Sequence, residues 1–132
     1  MNIIILDTNF IITCAKQKIY FEEEIKELIP TAEIVVPLQV KNELRRITEG
    51  RTGANYNDRR NAELALRLIS KFREIKLKGK YVDNGIVEHC GRNTDSKSDK
   101  IFVATIDARL ARKVKSIANV IKIRKMKKLM IE

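Results

Sequence analysis

The 132-residue sequence predicts an α/β protein with a largely parallel sheet. Two observations carry this. Short apolar runs rich in β-branched residues alternate along the chain with segments of helical periodicity, as expected for strands joined by crossover helices. The runs IIIL at 3–6 and IFVAT at 101–105 are almost wholly apolar rather than alternating, as strands covered on both faces are.

Ile3 to Leu6 is the first strand, and Phe10 to Lys16 begins the first helix. Glu22 to Ile29 (EEEIKELI) is a second helix, with acids in the first turn where the helix dipole favours them and Pro30 as its stop. Glu33 to Pro37 forms a second strand, its pairing ended by the proline. Leu38 to Thr48 is helical, with Val40, Leu44 and Ile47 on one stripe. Gly50 to Tyr56 is a polar loop, and Asp58 caps a helix over Arg59 to Arg73 in which Leu64, Leu68 and Phe72 share a face with Ala65 and Ile69. Ile75 to Tyr81 alternates as a short edge strand would, and Asp83 to Cys90 forms a short helix. Gly91 to Asp99 is turn-like and leads into the strand IFVAT. Ala108 to Ile117 is the last helix, with Leu110, Val114 and Ile117 inside. Asn119 to Ile123 is the last clear strand, and Lys127 to Ile131 is an edge strand or a frayed tail. No repeat or low-complexity tract divides the chain, so residues 1–132 are expected to form one domain.

Composition narrows the function classes. No run approaches the ~20 apolar residues of a membrane span. Asp7 interrupts the N-terminal apolar run, and no basic region precedes it, so no signal peptide is expected. Cys14 and Cys90 have no Cys or His at metal-ligand spacing and read as buried thiols of a reducing, cytoplasmic compartment. No glycine-rich loop follows the first strand, which excludes phosphate-cradling and dinucleotide fingerprints. The formal net charge is +10, and the stretch from Ala108 to Ile131 carries nine Lys or Arg residues and no acid. A polarised basic surface suits a polyanion, and nucleic acid is the usual one. Glu22, Glu23, Glu24 and Glu27 form an opposing acidic patch that could meet the basic tail of a second copy in a homodimer.

Ligands of parallel α/β sheets sit beyond the carboxyl ends of the strands. Asp7 and Asp107 stand just past two such ends, Glu43 lies one turn into the helix after the second strand, and Asp83 opens a helix. Each alone reads as a cap or a surface acid. Together in one cleft, they would repel unless a cation neutralised them, and all-oxygen donors suit Mg²⁺ or Mn²⁺.

LDTNF at 6–10, PLQVKNELRRI at 37–47, VDNGIVEHC at 82–90 and VATIDARLARKVK at 103–115 resemble, in order, the four conserved regions of the PIN-domain ribonucleases. The resemblance implies a three-layer α/β/α fold, a divalent-metal site and endonucleolytic cleavage of RNA. It implies that Asp7, Glu43, Asp83 and Asp107 are the catalytic, metal-holding acids, with Thr8, Asn9 and Thr105 orienting them. Asp95 and Asp99 compete with Asp83 for the third position, although Asp99 should lie at the opposite end of its strand. Arg45, Arg46, Arg51, Arg59, Arg60, Arg109, Arg112 and Lys113 would contact RNA, with Tyr56 able to stack on a base. The basic ending and the loop GRTGANYNDRRNAE are similar to the PIN endonucleases of small-subunit ribosomal RNA maturation and their archaeal relatives. This implies a ribosomal RNA precursor as substrate and a ribosome-assembly partner. The alternatives within the family are a toxin ribonuclease held by an antitoxin, and an inactive RNA-binding subunit.

Overall fold

The computed structural model describes residues 1–92 and 99–132. Along the chain run β1 (Asn2–Leu6), α1 (Thr8–Gln17), α2 (Phe21–Leu28), β2 (Ala32–Pro37), α3 (Leu38–Thr48), α4 (Tyr56–Ile69) and β3 (Arg73–Ile75). They are followed by α5 (Val82–Arg92), β4 (Lys100–Ala104), α6 (Ala108–Val114), β5 (Asn119–Arg124), a 3-10 turn at Lys125–Lys127 and β6 (Lys128–Ile131).

The described strands form one six-stranded sheet in the order β3-β2-β1-β4-β5-β6. All pairings are parallel except β5 with β6, so the basic tail is an antiparallel edge strand rather than a frayed end. The chain steps outward from β1 through β2 to β3, then crosses back to β4 and continues to β5. Right-handed crossovers in opposite directions put their helices on opposite faces of a sheet. Helices α1, α3 and α4 accordingly pack on one another, and α5 packs on α6. The order reverses between β1 and β4, where Leu6 lies in register with Ala104. That reversal opens a crevice at the carboxyl edge of the sheet.

The core is the expected one: Ile4, Ile5, Leu6, Val35, Val36, Val103 and Ala104 from the central strands are buried. Phe21 wedges α2 between α1 and the start of β3, its ring 6.3 Å from that of Phe10 and 6.1 Å from that of Phe72. Cys14 and Cys90 are buried, and loss of hydration pushes their thiols up to about 12 and about 11, which leaves them unreactive.

Several boundaries move for local reasons. Helix α1 starts at Thr8, two residues before the expected position, because Asp7 caps it. Helix α4 starts at Tyr56: Asn55 Oδ1 accepts from the Asp58 N–H at 2.8 Å, so Asn55 and not Asp58 is the cap. The same helix ends at Ile69, short of Arg73, and its inward face is built from Ala62, Ala65 and Ile69. Leu64 and Leu68, expected inside, are more than a third exposed. The edge strand expected over Ile75–Tyr81 is confined to Arg73–Ile75, because Leu77 is bonded to α3 instead. Gly91 continues α5 rather than starting a turn. The acidic helix α2 is engaged within its own chain: Glu22 pairs with Lys71, and Glu24 accepts from the Leu129 N–H of β6 at 3.0 Å. One acid of the patch thus bonds the backbone of the terminal strand in the same copy. No described helix is long and apolar enough to cross a membrane.

Candidate active site

Asp7 stands where β1 stops, at the reversal of strand order. Its backbone is still extended, with φ −89° and ψ 152°, and its N–H donates to the Ala104 carbonyl at 3.0 Å. The carboxylate is therefore aimed by a strand rather than by a loop. Oδ1 accepts from the Thr8 N–H at 2.9 Å, and Oδ2 accepts from the Thr105 hydroxyl at 2.8 Å. Thr105 Oγ1 in turn accepts from the Asp107 N–H at 3.0 Å. One threonine thus links the ends of β1 and β4 and fixes the two aspartates relative to each other.

Asp7 is only 4% exposed. Burial, with repulsion from Asp83 and Asp107, outweighs the hydrogen bonds of Thr105 and Thr8 and lifts its pKa to about 6. Glu43, half-buried on α3, is also raised by burial and by the charges of Asp7 and Asp83, against relief from Thr8 and Arg46. The Thr8 hydroxyl is buried without completing a hydrogen bond, though it lies near enough to Glu43 to favour its charge. Asp83 lies in the first turn of α5. Asp107 caps α6, accepting from the N–H groups of Arg109 at 2.9 Å and Leu110 at 3.3 Å. Asp7 and Asp107 are helix caps and also members of the cluster; the two readings coexist.

The fold thus brings the four predicted acids into one electrostatic neighbourhood from four separate elements. Among the described residues, no three His, Cys, Asp or Glu side chains are drawn closely enough together to clasp an ion as they stand. The donor set nonetheless fits a hard divalent cation: oxygens alone, one carboxylate deeply buried, and, among the described residues, all but one of the charges acting on Asp7 and Glu43 negative. Asp99 does not compete. It lies before β4, at the far end of the sheet, 3.6 Å from the terminal amine of Met1. Asp95 falls outside the described residues.

Two residues near the site gave no signal in the sequence. Gln39, one turn before Glu43 on α3, is buried and donates from Nε2 to the carbonyls of Leu77 (2.7 Å) and Gly79 (2.8 Å). Its Oε1 accepts from the Leu77 N–H at 3.2 Å. This latch ties the segment leading to Asp83 to the helix that carries Glu43. Gly85 completes it, because a Cβ there would lie 2.8 Å from Leu77 Cβ. Local periodicity cannot reveal a latch whose partners are 38 and 40 residues away.

The expected RNA contacts divide into two banks. Arg45, Arg46, Arg51, Arg59 and Arg60 are exposed on α3, α4 and the loop between them. Tyr56 is exposed in the first turn of α4, with the Arg60 guanidinium 5.7 Å from its ring centroid and bonded to its hydroxyl at 3.0 Å. Arg109, Arg112 and Lys113 are exposed on α6. A cavity flanks the acids on each side. One of about 650 Å³ includes Asn9, Glu43, Arg46 and Asp58. The other, of about 350 Å³, includes Thr105, Asp107, Arg112, Lys115 and Lys122.

Known proteins bear on this arrangement. Residues 4–126 match the family described as a PIN-like domain. Ribonuclease VapC4 of Methanocaldococcus jannaschii is 31% identical over 112 residues, covering 84% of this chain and 81% of its own. The solved PIN domain endonuclease Utp24 superposes with a TM-score of 0.74 at 24% identity, covering 98% of this chain and 90% of that one. The T5 D15 protein, co-crystallised with metal ions, shares the fold more distantly, with a TM-score of 0.55 at 8% identity over 98% of this chain and 56% of that one.

Proposed function

We propose that this chain, which belongs to the PIN-like domain family, is a divalent-metal-dependent endoribonuclease. The observation that carries the reading is Asp7: a carboxylate buried at a strand end among other acids, where two hydrogen bonds do not outweigh burial and repulsion. Folding leaves such a group costly unless a ligand cation completes it.

Asp7 and Asp107 would hold Mg²⁺ or Mn²⁺ across the ends of β1 and β4, with Glu43 and Asp83 joining directly or through water, since Mg²⁺ keeps several of its waters. When bound, the cation would polarise the phosphodiester, help generate the attacking hydroxide and stabilise the leaving oxygen. The chain's own residues do the placing. Thr105 holds Asp7 Oδ2 while gripping the Asp107 backbone, and the Thr8 N–H holds Oδ1, so the Asp7 carboxylate is oriented in advance. Arg46 beside Glu43 and the cations of α6 would bind the flanking phosphates.

For the substrate, we favour a cellular RNA that undergoes processing, a ribosomal RNA precursor being the nearest case. The basic tail and the loop before α4 support it, as does likeness in fold to a PIN domain endonuclease. A toxin ribonuclease is the second reading, favoured by the sequence similarity to Ribonuclease VapC4. Cleavage of labelled RNA by the purified chain with Mn²⁺, beside EDTA and Asp7→Asn controls, tests the activity. Loss of cutting in both controls is the expected result. Metal-independent cutting, or full activity in the substituted chain, would overturn the reading.

A further inference from the structure

We propose that the cavity between α6 and β5 is a nucleotide subsite, the place where the RNA strand runs on after crossing the acids; this rests on the endoribonuclease reading. The cavity begins at the site itself, since Thr105 and Asp107 form one wall. Its other walls carry Arg112, Lys115 and Lys122, of which Lys122 lies outside the motif that aligns the acids. Three cations on a helix and a neighbouring strand converge on a space of about 350 Å³. The acid on the same rim, Glu132, is paired with Lys122 at 3.2 Å, each side chain about 41% exposed. A surface pair of that kind holds only weakly, so a phosphate can take its place.

The apolar lining points to a nucleotide rather than a bare anion. Ile106 sits between Thr105 and Asp107 with 47% of its surface exposed, at the lip of the cavity. Ala108, Ala111, Val120 and Ile123 line the same cavity. A base or ribose packed on this floor would set its phosphate against the cations, and would cover an isoleucine that is otherwise wet. The cavity on the opposite side of the acids is chemically different. Glu43 and Asp58 face the single cation Arg46 there, whereas Asp107 and Glu132 face three cations on the α6 side, so a phosphate is held more weakly beside Arg46. The strand's phosphates should therefore leave the cleft on the α6 side.

The test compares two charge removals of equal size. Lys115→Ala with Lys122→Ala empties the cavity of two cations. Lys125→Ala with Lys128→Ala removes two from the exposed edge after β5, outside it. Anisotropy of a short fluorescein-labelled single-stranded RNA is measured in EDTA over a range of salt, with thermal melts to confirm folding. The cavity pair is expected to weaken binding by about tenfold and to flatten the log–log salt slope by about 1.4, two contacts at about 0.7 each. The edge pair is expected to cost less than about twofold, and Lys115→Arg with Lys122→Arg to restore affinity. Equal losses in the two pairs, or no loss in the cavity pair, would overturn the subsite while wild type still cuts RNA with Mn²⁺. A wild type that neither binds nor cuts RNA overturns the endoribonuclease reading as well.

Discussion

The two ends of the parallel sheet carry carboxylates in opposite company. At the amino end, Asp99 lies 3.6 Å from the Met1 amine and Glu33 accepts from Arg73 at 2.9 Å. At the carboxyl end, Asp7, Glu43, Asp83 and Asp107 act on one another, with Arg46 the one positive charge among the described residues acting on the cluster's two raised acids. The exposed pairs need nothing more. The cluster is held in place by strand ends, a threonine and a glutamine that were not required merely to cap helices. The difference teaches that one end of the sheet is built for stability and the other retains repulsion for use when a ligand arrives.

The sharpest way to break that comparison is Asp7→Asn. Cleavage should fall by about 10³-fold, the scale of losing a group that organises transition-state charge. Stability without metal should move the other way. Asp7 has a folded pKa near 6 against 3.8 in the unfolded chain, so the folded state holds its proton more tightly. That contribution is complete below pH 3.8 and is lost as pH rises through about 6. At neutral pH the ionised group costs about 3 kcal/mol, which the neutral amide avoids. Melts in EDTA at pH 7 should therefore place Asp7→Asn roughly 5–10 °C above wild type, with the gap closing toward pH 4. A variant that melts below wild type at pH 7 would show that Asp7 stabilises the fold rather than straining it.

Gln39→Met should cost about 2–4 kcal/mol, because it strands the Leu77 N–H and two carbonyls. It should also raise the Mn²⁺ concentration needed for half-maximal cleavage by about tenfold, as loss of a group that positions ligands does. Val114→Ala, a core truncation on α6, provides the control: a similar drop in melting temperature with an unchanged Mn²⁺ requirement. Should both variants shift the Mn²⁺ curve alike, the latch is merely structural. Adding Mn²⁺ at a hundred times its Kd should stabilise wild type by about 2.7 kcal/mol and Asp7→Asn by far less. Equal stabilisation of the two would place the ion elsewhere. At the amino end, Asp99→Asn should change stability by less than about 1 kcal/mol and leave cleavage untouched. A large effect on cutting there would erase the distinction between the two ends.

Much of this was legible in the chain. The apolar runs fixed β1, β2 and β4, and Leu38–Thr48 is a helix with the bounds its stripe predicts. The acids at 7 and 107 stand where strands stop, as read. Caps were harder, because Asn55 and Asp58 are both good cap residues and only the backbone path chooses between them. The exposure of Leu64 and Leu68 depends on what α4 packs against, a matter on which helical periodicity is silent.

The sequence by itself determined the alternation of strands and helices, the placing of acids just past strand ends, and the basic polarity of the tail. Each follows from interactions within a few residues: period, capping and charge spacing. The tertiary structure alone decided the strand order, with its reversal between β1 and β4. It alone decided that residues 7, 43, 83 and 107 share one field, and that Gln39 reaches across to Leu77. These are contacts between segments far apart in the chain. Their energies depend on how whole faces pack, and no local pattern encodes which faces will meet.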